Sequence, residues 1–268
     1  MLPTVHIIGE GYDIGSRTPG TGHPPIGVAG RRYAGRMCGR FVISDTTPDL
    51  VRIFDVDTVG EGLPEPSWNV RPTDPIPVVL ESKKEGPVVR RLEAARWSLV
   101  PSFSKELKLK YPTFNARSEG LATSSAFRAS LAGKRAIIPA DGYYEWHTVG
   151  KQKTPYFIHQ GDGPIAFAGL YSWWRDKSKA EDDPERWVLT ATIITTDATG
   201  DLADIHDRIP VMLPPEFWST WLDPDVTGDQ SLVDQAVAAS RPMVPSLAFH
   251  EVGPVNDNGP ELIEPVRP

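Results

Sequence analysis

The chain of 268 residues is 40% hydrophobic and 24% charged, the proportions of an ordinary globular protein, and its length suits one large domain or two small ones. A formal net charge of −7 excludes broad, salt-driven adhesion to nucleic acid but leaves room for a local basic groove. The single cysteine excludes an internal disulfide framework and any multi-thiolate zinc site, and a reducing cytoplasm is the natural compartment.

Residues 1–36 are rich in Gly and Pro, show no sustained period, and lack the apolar core of a signal peptide. They read as a disordered extension or a mis-assigned start, with the folded domain spanning 37–268. "TPDLVRIF" follows as a helix, with Thr47 as the expected N-cap and Pro48 at the first helical position. Strands are expected at "IPVVLES", "PVVRRLEAARWSLV", "RAIIPADGYYEWH", "TPYFIH", "IAFAGLYSWW" and "WVLTATIITTD", all rich in β-branched and aromatic residues. "RDKSKAEDDPER" reads as an exposed loop between the last two, and helices are expected at "PPEFWSTWL" and "SLVDQAVAAS". No apolar run approaches the roughly 20 residues that span a bilayer. The sum is a single α+β domain with a mixed, largely antiparallel β-sheet core and a few peripheral helices.

Four short stretches concentrate groups that do chemistry. "GRMCGRF" carries the lone thiol, Cys38, directly after a methionine. "FNARSEG" brings Asn115, Arg117 and Glu119 together, and "PADGYYEWH" turns at Asp141–Gly142 before presenting Glu145 among Tyr143, Tyr144 and Trp146. "DIHDRIPVM" sets His206 between two aspartates, just ahead of Arg208. Taken singly, each has an ordinary structural explanation: a surface histidine, an exposed glutamate on an alternating strand, a turn-capping asparagine.

Together with "WNVRPTDPIPVV", "RWSLVPSF", "AFR", "PYFI", "FAGLY", "TIITTDATGDLADIHDRIPVML" and "VNDNGPELIEPV", these stretches resemble, in order over residues 37–266, the SRAP (SOS response-associated peptidase) family, which shields abasic sites in single-stranded DNA. Two features depart from the family pattern. Thirty-six residues precede the usual Met-Cys start, and the usual Trp-Gly reads Trp97-Ser98.

The resemblance implies that Cys38 is a nucleophile, with Asn115, Glu145 and His206 as its catalytic partners. It implies DNA contacts at Arg40, Trp68, Asn69, Arg71, Pro72, Trp97, Arg117 and Arg208. The arginines would hold phosphates, while Trp68, Trp97 and Pro72 would stack on or wedge beside bases. The chemistry is coherent. An N-terminal cysteine offers an α-amine of pKa about 7.7–8.0 beside a thiol, a pair that can close a thiazolidine ring on the aldehyde of an opened abasic sugar. Glu145 amid aromatics is expected to have a raised pKa and to shuttle protons, His206 to assist ring opening, and Asn115 to hold the sugar. Neither cofactor nor metal is required. The expected partner is single-stranded DNA with abasic sites, engaged by a monomer in the cytoplasm that associates with the nucleoid on damage. Two other readings remain open at this point: a cysteine-dependent peptidase using Cys38, His206 and Asn115 on other proteins, and a noncovalent single-strand binder.

Overall fold

Frequent turns cut the chain into short elements, and the computed structural model describes residues 39–84, 86–161 and 163–266. The expected N-terminal extension, Met37 and Cys38 lie outside the described residues. In chain order the first elements are β1 (Phe41–Ile43), α1 (Thr47–Phe54), β2 (Thr58–Val59), β3 (Ser67–Val70), β4 (Pro75–Ser82), β5 (Val89–Trp97) and β6 (Asn115–Arg117). There follow α2 (Arg128–Gly133), β7 (Arg135–Ala140), β8 (Gly142–Val149), β9 (Gln152–Gln160), β10 (Ile165–Arg175) and β11 (Trp187–Asp197). The last are α3 (Leu202–Ile205), β12 (Arg208–Pro210), α4 (Pro215–Leu222), α5 (Gln230–Ser240) and β13 (Leu247–Glu251).

These strands build two sheets. A five-stranded antiparallel sheet runs in the order β13-β9-β8-β1-β3. An eight-stranded sheet runs β12-β11-β10-β7-β4-β5-β2, with β6 added beside β11. Within it a parallel pairing of β5 to β11, Thr190 opposite Arg96 and Ala191 opposite Trp97, brings the path β11-β10-β7-β4-β5 back onto β11. The result is a small closed barrel, which leaves those strands no free edge. The expected α+β domain with a mixed, largely antiparallel core is thus what forms, and its helices lie around the sheets.

Strand β1 shows why the two sheets need each other. Its three residues are all buried, but successive side chains point to opposite faces. Phe41 and Ile43 enter the main core with Trp97, Phe167 and Ile137. Val42 enters a second cluster with Tyr144, Phe157, Val252 and Leu262. Deleting β1 would therefore open two cores.

Local details differ from expectation in two places. The N-cap of α1 is Thr46, one residue earlier than expected, with its hydroxyl donating to Asp49 at 2.6 Å. The stretch 135–147 is two strands, β7 and β8, that part at Asp141 and join different sheets. Asp141 is fixed there by the backbone N–H and hydroxyl of Ser44, the latter at 2.7 Å. Gly142 must follow it, because a Cβ would lie 2.5 Å from the Phe157 ring and 2.6 Å from the Ile158 carbonyl oxygen.

Candidate functional site

Strand β8 leaves the Asp141 corner alternating its side chains: Tyr143 into the main core, Tyr144 into the second cluster, Glu145 back toward the first side. Glu145 is only 2% exposed, so it is not the solvent-facing member of an alternating pattern. Facing it is His206, which ends α3 and donates its backbone N–H to the Leu202 carbonyl at 3.0 Å. Its ring nitrogen Nδ1 lies 3.9 Å from Glu145 Oε1 and 3.1 Å from Asp207 Oδ1. The same nitrogen accepts the Arg208 backbone N–H at 3.1 Å. In the neutral ring, Nδ1 therefore accepts and Nε2 carries the proton. The ring thus faces the Asp207 carboxylate at close range and the buried Glu145 carboxylate within ion-pair range.

The first described residues arrive beside this pair. Antiparallel register sets Phe41 opposite Tyr143, and the Tyr144 N–H donates to the Arg40 carbonyl at 3.0 Å. One further step of that register carries Gly39 toward Glu145. Asn115 enters from another direction. It opens β6, is buried, and pairs with Ile193 on β11. Strand β12, which follows His206, pairs with the end of β11 at Thr195–Asp197. Asn115 and His206 are thereby set on segments that bracket β11.

The proposed DNA contacts separate into two groups. Arg40, Arg71 and Arg117 are accessible, Arg40 half-buried and the other two exposed. Arg40 has its guanidinium pKa lowered by burial and by the nearby charge of Arg71, with Asp74 opposing. Two like charges held together in this way suit an anion between them. Trp68 and Pro72 are half-buried and present an edge to solvent.

Three residues are placed otherwise than expected. Trp97 is 0% exposed. Its indole packs edge-on to Phe41, with ring centroids 4.9 Å apart, and Nε1 donates to the Phe114 carbonyl at 2.8 Å. A base cannot stack on it. Asn69 is buried, with Nδ2 donating to the Asp257 carbonyl at 2.6 Å, so it faces the protein's own chain. Arg208 is 5% exposed and bonds both oxygens of Glu119 (3.0 and 2.8 Å), Asp197, and the Thr195 carbonyl (2.7 Å). Burial alone would raise the Glu119 carboxyl, but its bonds to Arg208 outweigh that and hold its pKa down. Arg208, on β12, clamps the end of β11 to Glu119 in the turn after β6 and is not a free phosphate ligand.

One feature escaped the sequence reading. The loop between β5 and β6 projects Phe103 and Tyr111, each 70% exposed, among exposed Lys105, Lys108 and Lys110. Lys110 Nζ lies 5.6 Å from the Tyr111 ring centre, and the loop is tied down by the Trp174 indole donating to the Ser104 carbonyl at 3.0 Å. Aromatics interleaved with lysines in "SFSKELKLKY" were the available signal. Among the described residues there is no cluster of three or more His, Cys, Asp or Glu able to hold a metal, and no helix is long and apolar enough to cross a membrane.

Comparison with known proteins fits this arrangement. Residues 37–256 match the family described as SOS response associated peptidase (SRAP), and the chain belongs to that family. It is 38% identical over 234 residues to the abasic site processing protein YoqW of Bacillus subtilis, covering 85% of this chain and 99% of that one. It is 33% identical over 241 residues to the abasic site processing protein YedK of Escherichia coli, covering 86% and 100%. A crystal structure of a Bacteroides thetaiotaomicron protein shares the fold, with a TM-score of 0.69 at 21% identity, covering 86% of this chain and 100% of that one.

Proposed function

We propose that this protein processes abasic sites by capturing the opened deoxyribose covalently, through Cys38 at the N-terminus of the mature domain (37–268 in the given numbering, less Met37). The observation that carries the reading is the approach of His206 Nδ1 to the buried Glu145 carboxylate, 3.9 Å, on a strand that pairs directly with β1. The pairing of β1 with β8 leads the chain from Phe41 back along Tyr143 and Tyr144 toward Glu145, which supports assigning the acid–base work for Cys38 to this pair.

The steps balance without a cofactor. The neutral α-amine adds to the sugar aldehyde, and the carbinolamine loses water to give an imine. The thiol sulfur then adds to the imine carbon, and its proton passes to nitrogen, closing a thiazolidine. Glu145 and His206 move the protons for ring opening and dehydration, and Asn115 positions the sugar. Arg40, Arg71 and Arg117 grip phosphates, while Trp68, Pro72, Phe103 and Tyr111 contact neighbouring bases. Before capture, the amine is freed either by initiation at Met37 with methionine trimming, or by hydrolysis of the 37–38 peptide bond, the self-processing that the family description as a peptidase supports. Without the thiol, the imine stage can eliminate the 3′ phosphate, a lyase outcome that capture by sulfur suppresses.

Two measurements test the reading: the intact mass of the protein from its native host, and electrophoresis in detergent after incubation with abasic or undamaged single strands. The expected result is a mass beginning at Cys38 and a boiling-resistant adduct with abasic DNA alone. Adducts formed by protein retaining residues 1–37, or equal adducts with undamaged DNA, would overturn it.

A further inference from the structure

We infer, resting on the reading above, that the segment Asn256–Asn258 is a positioning strap that sets the β3 edge of the DNA groove, with Asn258 as its anchoring residue. Strand β3 is the outer strand of the five-stranded sheet, and an edge strand has no neighbour to fix one side of its backbone. Here the missing neighbour is supplied by side-chain bonds. Asn258 Oδ1 accepts the Trp68 backbone N–H at 2.7 Å and the Ser67 hydroxyl at 3.2 Å. The Asp257 carbonyl accepts Asn69 Nδ2 at 2.6 Å, and the Asn256 carbonyl accepts Arg71 Nη2 at 2.7 Å. Consecutive strap residues thus meet residues 71, 69 and 68–67 in reverse order, an antiparallel seat.

Trp68 is held from both sides, because its carbonyl accepts the Tyr144 hydroxyl at 2.9 Å. The buried Tyr144 ring gives that second anchor a fixed position. Arg71 is exposed and long, with rotamer freedom to lose on binding; tethering it to Asn256 removes part of that loss in advance. The strap therefore acts on DNA affinity through Trp68 and Arg71, and not on the proton chemistry of β8 and α3. The bond from Asn258 uses only an acceptor oxygen, which makes the role chemically specific.

The test uses the full-length protein and its Asn258→Ala and Asn258→Asp variants. Three quantities are measured: hydrogen exchange at the Trp68 amide, affinity for a fluorescent oligothymidylate, and the single-turnover rate of adduct formation with an abasic oligonucleotide at saturation. Asn258→Ala is expected to speed Trp68 exchange by on the order of tenfold and weaken oligothymidylate binding roughly five- to tenfold, with the saturating rate held within about twofold. Asn258→Asp keeps the acceptor and should restore amide protection. Wild-type affinity in Asn258→Ala, an equal fall in its saturating rate, or failure of Asp to restore protection would each overturn the inference. If the wild-type protein forms no adduct, the proposed function fails, whereas the exchange and affinity measurements still decide the strap.

Discussion

The Trp97 indole donates to the Phe114 carbonyl at 2.8 Å, one residue ahead of Asn115. The backbone of the same tryptophan donates to Asp74 (2.9 Å) and accepts from Thr73 (2.7 Å). Thr73 sits at φ 83°, a region that a β-branched residue occupies only when its surroundings hold it there. Trp97 therefore ties together two segments of the site, the Arg71–Asp74 turn and the start of β6, without itself being accessible.

Replacing that tryptophan tests whether it acts from within. Trp97→Phe keeps most of the ring but leaves the Phe114 carbonyl without its donor, at a cost of about 2–3 kcal/mol of stability from the lost bond and the smaller ring. Adduct formation should slow through Asn115. Urea unfolding and single-turnover rates report the two effects. A loss of single-strand affinity at unchanged stability would instead restore Trp97 as a stacking residue.

Arg208 and Arg117 should behave as opposites. Arg208→Ala removes a buried clamp and is expected to cost about 2 kcal/mol, less than a fully buried pair because Glu119 and Asp197 reach solvent. Its salt dependence of DNA binding should match the wild type. Arg117→Ala should leave thermal stability intact and flatten the slope of log affinity for single strands against log salt by about 0.7. Titrations across a salt series separate them.

Glu145→Gln keeps shape and hydrogen bonding but cannot carry a proton between steps. Adduct formation should fall on the order of 10²–10⁴-fold, with affinity for undamaged single strands unchanged. His206→Ala should show its largest deficit when the sugar begins in the closed-ring form. A wild-type rate in Glu145→Gln would remove it from the proton pathway.

Stability should carry one identifiable pH signature. The Asp45 carboxyl is pushed up to about 6 by burial and by the charges of Asp141 and Asp49. Because its folded pKa exceeds the unfolded one, the folded state binds the extra proton. This contribution is complete below about pH 4 and is lost as pH rises through 6. Between pH 7 and 5 it should add about 1 kcal/mol, discounted for the group's partial exposure. Thermal melts of wild type and Asp45→Asn at both pH values give the difference, which Asp45→Asn should abolish.

Residue type and local order were enough to single out Glu145 and His206 as candidates, since an acid among aromatics and a histidine before a proline-ended strand are local features. Strands β4, β5, β9, β10 and β11 were legible for the same reason: each is long, β-branched and bounded by turn residues. Trp97 and Arg208 were misread because burial is decided by register. Nothing near Trp97 reveals that β5 will close against β11, or near Arg208 that Glu119, far earlier in the chain, will return to meet it. The bonds between Asn258 and β3 are non-local in the same way. Strands such as β1 and β6, three residues each, are too short to show a period and exist only because their neighbours hold them.

The parallel pairing of β5 with β11 joins residues about ninety positions apart in sequence, and contacts of that span carry a large loop-closure cost. Asn115 lies on β6, which docks on β11 just beyond that pairing, so its placement depends on the same strand that closes the barrel. On the reading proposed here, the aldehyde-reactive terminus has its full set of partners only in the closed barrel, so reactivity toward the sugar is tied to the folded state.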